Sequence, residues 1–239
     1  MEKKNDLLKN GMLYSIGSIL INAITLLTIP LFTRVMSVDS YGNYNVFLSY
    51  ANIIFVFMGF AIHSSLNTAK FDWKKEYPQY LKSCTLFIYV CYLCWVLAVA
   101  ILDILGINVF DYNYIIIQCL LFRSLYLALN NFYSNKCIMD FQYKRLMAIS
   151  LLNILSDIII GILMVINVAS SMQFENRVIA NSIASVVSIG GITFQLLNTK
   201  GGIKKEHLSY GLRISLPVVP HGISQVILAS FDRIMIRDI

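Results

Sequence analysis

Apolar residues in this chain arrive in blocks of about 20, the length that crosses a hydrocarbon layer at about 1.5 Å per residue. Six blocks run from Met12 to Phe32, Tyr44 to Ser64, Ser83 to Leu105, Tyr112 to Phe132, Leu146 to Val168 and Val178 to Leu197, and a seventh starts near Tyr210. A soluble helical bundle would show a polar stripe every three to four residues, and most of these blocks have none. Charged residues make up 13 % of the 239 residues, against about 25 % in a soluble domain. The pattern predicts an all-α, polytopic membrane protein. The first block contains Pro30 and is followed by RVMSVDSYG rather than a small-residue cleavage motif. It therefore reads as a permanent span and not a signal peptide.

The loops carry the orientation. With the N-terminus on the cytoplasmic side, the inner segments hold Lys3, Lys4 and Lys9, then Lys70, Lys74, Lys75 and Lys82, then Lys136, Lys144 and Arg145, then Lys200, Lys204, Lys205 and Arg213. The outer segments and outer helix ends hold only Arg34, Arg177, Arg233 and Arg237. Basic residues concentrated on alternate loops are the signature of a cytoplasmic face. The net charge of +6 is thereby spent on topology, so nucleic acid is not an expected partner. KFDWKKEYPQY, within residues 65–82, interleaves lysines with aromatics and reads as an interfacial segment.

Residues 1–197 form a six-helix N-terminal lobe in this reading, 198–209 a basic cytoplasmic linker, and 210–239 the first helix of a second lobe. Pro217 and Pro220 near its start predict a bent or locally opened helix, and Asp232 and Arg233 lie near its far end. The sixth span is rich in small residues, among them Ala180, Ser182, Ala184, Ser185, Ser188, Gly190 and Gly191, which allow close helix approach.

Two charges fall near the middle of spans. Arg123 and Asp157 each lie about eleven residues in from a helix end, near mid-bilayer, where an unpaired charge costs at least about 2.5–3.5 kcal/mol. Either they pair with each other and fix helix packing, or they line a hydrated path in which Arg123 meets an anion and Asp157 tunes it. Asn22, Asn52 and Asn153 are intramembrane as well, and each is helix glue or cavity lining. Asn22, Thr25 and Thr28 share a spacing of three and should face protein or a cavity. His63, at the end of the second span, reads first as an interfacial side chain.

Enzymatic motifs are lacking. There is no H-E-x-x-H, G-x-S-x-G or phosphate-binding Gly-rich loop, and no loop is long enough for a catalytic domain. No catalytic, cofactor-binding or metal residues are expected. Cys84, Cys91, Cys94, Cys119 and Cys137 lie in or beside apolar segments, so they read as small buried side chains.

Two stretches carry a resemblance. LLTIPLFTRVMSVDSYGNYNVFLSYANI, from Leu26 to Ile54, and YGLRISLPVVPHGISQVILASFDRIMI, from Tyr210 to Ile236, resemble polysaccharide-unit flippases of the multidrug/oligosaccharidyl-lipid/polysaccharide exporter superfamily. That resemblance implies two lobes of six helices around a central cavity, of which this chain would supply the first lobe and the next helix, as a fragment of a longer transporter. It implies a multi-pass protein of the bacterial inner membrane that turns undecaprenyl-pyrophosphate-linked oligosaccharide units from one leaflet to the other. Partners would be that lipid-linked oligosaccharide and the glycan polymerase and chain-length machinery. The substrate path would be lined by Arg123 with Asp157, Asn22, Asn52 and Asn153, and Arg34, Asp232 and Arg233 would stand at the outer mouth. The rival functions are a drug/cation antiporter, a peptidoglycan-precursor flippase, or a non-transporting scaffold for glycan assembly.

Overall fold

The computed structural model describes residues 2–107, 112–198 and 202–237, with side chains for 11–107, 112–198 and 202–229. The described residues are helical with short 3₁₀ turns and no strand. The helices are α1 (Glu2–Val35), α2 (Val38–Gly59), α3 (Leu66–Asp72), α4 (Tyr77–Ile104), α5 (Tyr114–Met139), α6 (Tyr143–Ile166), α7 (Gln173–Leu197), α8 (Lys205–Ser215) and α9 (Val219–Arg237). Among the described residues six spans are long and apolar enough to cross a membrane, with α8 and α9 counted as one. A seventh is made if the pair Val38–Gly59 and Ile62–Asp72, bent by 50°, counts as one. The expected polytopic helical protein is therefore present.

The bundle is built around α5. Its face of Leu120, Leu121, Leu125, Leu129, Phe132 and Tyr133 is buried against Phe47, Ala51 and Met58 of α2, Ile88 of α4 and Ile189 and Ile192 of α7. The opposite faces of α1, α4 and α6 present Leu27, Leu97 and Leu163 outward, as lipid-facing helices must. A smaller cluster of Phe32, Met36 and Val165 joins the end of α1 to α6.

The corner between α1 and α2 is tied to the start of α7. Ser37 caps α2, its hydroxyl accepting from the Ser40 amide, as an N-cap serine does. Gln173 donates to the Val35 carbonyl at 3.2 Å and accepts from the Ser37 amide at 2.8 Å. Gly42 lies inside α2.

α2 ends abruptly. Phe60 and Ala61 both adopt left-handed backbone, with φ of 45° and 51°, a conformation that costs a residue with a β-carbon about 1–2 kcal/mol. The chain then turns through Ile62–Ser65 into α3. The expected interfacial segment 65–82 is thus α3, a short turn and the first turn of α4.

Asp72, Trp73, Glu76 and Tyr80 receive α8. Trp73 and Tyr80 each meet His207 and Tyr210 edge-on, with the Trp73–His207 ring centroids 4.6 Å apart. Tyr210 donates to the Asp72 carboxylate. Glu76 accepts from Lys204 Nζ at 2.7 Å and lies 3.1 Å from His207 Nε2. Gly211 lets α8 come this close, because a β-carbon there would stand 2.7 Å from the Tyr80 hydroxyl. The stretch expected to be linker, 198–209, is therefore partly helix: α8 already begins at Lys205, five residues before the expected start of the seventh span. Pro217 lies in the 3₁₀ turn Leu216–Val218 that separates α8 from α9, so the expected local opening is found.

Candidate functional site

Arg177 was expected at the outer end of the sixth span, among the loop charges. It lies instead inside α7, one turn from its start, and is 3 % exposed. Its Nη1 and Nη2 donate to Asp157 Oδ1 and Oδ2 of α6 at 2.8 and 2.6 Å. Two parallel charge-assisted bonds of this kind are the strong form of the arginine–carboxylate contact. Asn181, one turn further along α7, donates to Asp157 Oδ1 at 2.7 Å. The guanidinium is also flanked by two aromatic rings, Phe32 of α1 at 4.2 Å and Tyr44 of α2 at 4.6 Å. One side chain thereby fastens four helices.

Room for this arrangement comes from Gly161, one turn along α6 from Asp157. Any side chain there would strike Phe32 and the guanidinium.

The expected alternative of an Arg123–Asp157 ion pair is not what forms, since the carboxylate is taken by Arg177 and Asn181. Arg123 lies near enough to act electrostatically on Asp157 and on Tyr44, yet makes no ion pair among the described residues. Its partner is the Tyr126 ring, 5.0 Å from the guanidinium carbon. Its Nε and Nη1 are buried with no hydrogen-bond partner. Leaving buried donors of a charged group unmade is costly, and the group that would satisfy them is an acceptor, best an anion. Among the described residues, two guanidiniums and one carboxylate, Arg123, Arg177 and Asp157, thus share the interior and leave one positive charge uncompensated.

Other polar atoms around this centre are unsatisfied too. Asn153, one turn before Asp157 on α6, is buried and its Nδ2 has no partner; the same holds for Asn130 Oδ1, two turns beyond Arg123 on α5, and for Asn181 Oδ1. Asn52 is half-buried on α2. Asn22, expected to face protein or a cavity, is exposed on α1 and joins none of these groups, while Thr25 and Thr28 bond back to carbonyls of their own helix. Arg34 is exposed in the last turn of α1, beside the Gln173 clamp. Asp232 and Arg233 fall on α9, and their side chains lie outside the described residues.

Among the described residues no cluster of three or more His, Cys, Asp or Glu could hold a metal ion, and all five cysteines are free. What the centre can do chemically is bind an anion through Arg123 and orient it with amides.

Sequence reasoning missed Arg177, although a signal was present. Arg177, Asn181, Ser185 and Ser188 follow at spacings of four, four and three, which places all of them on one helix face.

A family model described as "Polysaccharide biosynthesis protein" matches residues 7–239. No curated protein and no solved structure matches the chain.

Proposed function

Since the chain belongs to the polysaccharide biosynthesis protein family of membrane transporters, we propose that it carries undecaprenyl-pyrophosphate-linked oligosaccharide units across the bilayer by alternating access. Its coarser role, a multi-pass inner-membrane transport protein in glycan biosynthesis, follows from the family and the helices. The observation that supports the finer reading is Arg123. It is a guanidinium inside the bundle with two buried donors unpartnered and, among the described residues, no carboxylate of its own, because Asp157 is held by Arg177.

A pyrophosphate answers both needs. Its oxygens match the planar fork of guanidinium donors, and its charge offsets the uncompensated cation. Asn153 Nδ2 and Asn130 Oδ1, both without a partner, would bond the remaining oxygens or the first sugar. The prenyl chain stays in lipid between helices. Asp157 acts through Arg177, holding α1, α2, α6 and α7 together rather than touching substrate. Arg34, with Asp232 and Arg233 on α9, is the proposed mouth of the path. The 3₁₀ turn at Leu216–Val218 supplies the kind of broken helix on which one bundle rocks against another.

Deletion of the gene from its source bacterium tests the reading. Surface polysaccharide is expected to be lost while lipid-linked units accumulate on the inner face of the membrane. No accumulation would overturn it. Undiminished export with Arg123→Ala at normal protein level would remove Arg123 from the path.

A further inference from the structure

The left-handed break after α2 opens a cleft that the anion site does not use. It has a volume of about 140 Å³ and lies between the break, α4, α5 and α9. Ala61, His63, Asn131 and Gln225 line it together with the rings of Phe55 and Phe132. Both residues that make the break, Phe60 and Ala61, carry β-carbons in a backbone region that favours glycine, and strain of this sort concentrates at functional sites.

The polar groups in the cleft have capacity to spare. Asn131 Oδ1 accepts from Asn135 at 2.8 Å, while its own Nδ2 has no partner among the described residues. The His63 ring makes no hydrogen bond among the described residues. Gln225 Nε2 lies 3.2 Å from His221 Nε2 on α9. No carboxylate, lysine or arginine lines the cleft, so it suits a neutral ligand.

Size narrows the ligand further. A closed cavity of roughly 150 Å³ holds benzene, so this open-mouthed cleft takes at most the ring of one sugar residue, with hydroxyls at its mouth. Its two phenylalanines would cover the apolar face of such a ring, and its amides and imidazole would reach the hydroxyls, the usual division of labour in a small-molecule site.

Position links the cleft to the anion site. Asn131 is eight residues along α5 from Arg123, about 12 Å at 1.5 Å per residue, and Asn130 lies between them with an unpartnered Oδ1. We infer that the cleft at the α2 break is a neutral-sugar subsite, holding one ring of the glycan whose pyrophosphate sits at Arg123. This rests on the proposed transport of lipid-linked oligosaccharide and names where that glycan is gripped.

The test compares two lipids extracted from the source bacterium, undecaprenyl pyrophosphate with its glycan and without it. Each is titrated against the protein in lipid nanodiscs. The wild type is expected to bind the glycan-bearing lipid about tenfold more tightly, the worth of one or two net hydrogen bonds. Asn131→Leu and Gln225→Leu, made separately and together, should collapse that preference toward unity while affinity for the bare pyrophosphate stays the same. Arg123→Gln should weaken both lipids alike. A preference that survives the double variant, or a wild type that binds both lipids equally, overturns the sugar subsite and leaves the transport reading standing. A wild type that binds neither lipid overturns both.

Discussion

A β-carbon on Gly161 would stand 3.0 Å from Nη1 of Arg177. The glycine is therefore part of the arginine's socket, and α6 approaches the guanidinium only because it has no side chain at that turn. Gly161→Ala is expected to destabilise the protein by about 1–3 kcal/mol, as overpacking a filled site does. Gly190→Ala on α7 is the comparison, because nothing lies within 4 Å of a β-carbon there and alanine favours helix by up to about 1 kcal/mol. Thermal melting in detergent should move in opposite directions for the two variants.

The pair Asp157–Arg177 should behave as a unit. Asp157→Asn leaves a buried guanidinium without its counter-charge, and Arg177→Gln leaves the carboxylate. Each is expected to cost about 3–5 kcal/mol and to lower the amount of folded protein in the membrane. The double variant should cost clearly less than the sum of the singles, which a double-mutant cycle on melting or denaturation reads directly. Strict additivity would mean the two groups are not coupled.

Arg123 should show the opposite pattern. Removing a charge that has no counter-charge among the described residues relieves a burial cost, so Arg123→Gln is expected to melt at the same temperature as the wild type or higher, while export of glycan falls to background. Arg123→Lys keeps the charge and loses the two-pronged geometry, and an intermediate export rate is expected. Loss of export accompanied by a large drop in stability would assign Arg123 to packing instead.

The docking of α8 should weaken in acid. The carboxyl of Glu76 is held below its ordinary value of 4.5 first by the hydrogen bond from Lys204 and then by that from His207. A carboxylate whose value is lowered on folding contributes stability that is fully present above 4.5 and is lost as pH falls through the lowered value. Hydrogen exchange in α8, corrected for the intrinsic rate, should show protection declining below about pH 4.5. Glu76→Gln should start with less protection and lose less of it over the same range.

Much of the architecture was legible because bilayer length is a one-dimensional property. The apolar blocks located the spans, and Pro217 announced the turn before α9. Arg123 and Asp157 stood out because a charge inside an apolar block has no cheap explanation. Their partners did not, because pairing depends on helix rotation and depth. Arg177 looked like a loop residue only because the start of α7 was placed at Val178, five residues too late. Asn22 was expected to face protein or a cavity on spacing alone, and its side chain is exposed on α1, away from the Arg177 centre. The break at Phe60 and Ala61 has no proline, and its left-handed residues are not glycines, so nothing in the sequence marked it.

The fastening of α8 has a mechanical consequence. Lys204, His207 and Tyr210 fix α8 to the turn between α3 and α4, and the 3₁₀ turn at Leu216–Val218 comes directly after. In the proposed rocking motion the helix ahead of that turn would serve as a post, and α9 as a lever mounted on it. α9 spans 19 residues, about 28 Å at 1.5 Å per residue, so a tilt of about 10° at Pro217 swings its far end through about 5 Å. Small changes at the aromatic seat of His207 would thus be magnified at the opposite side of the bilayer.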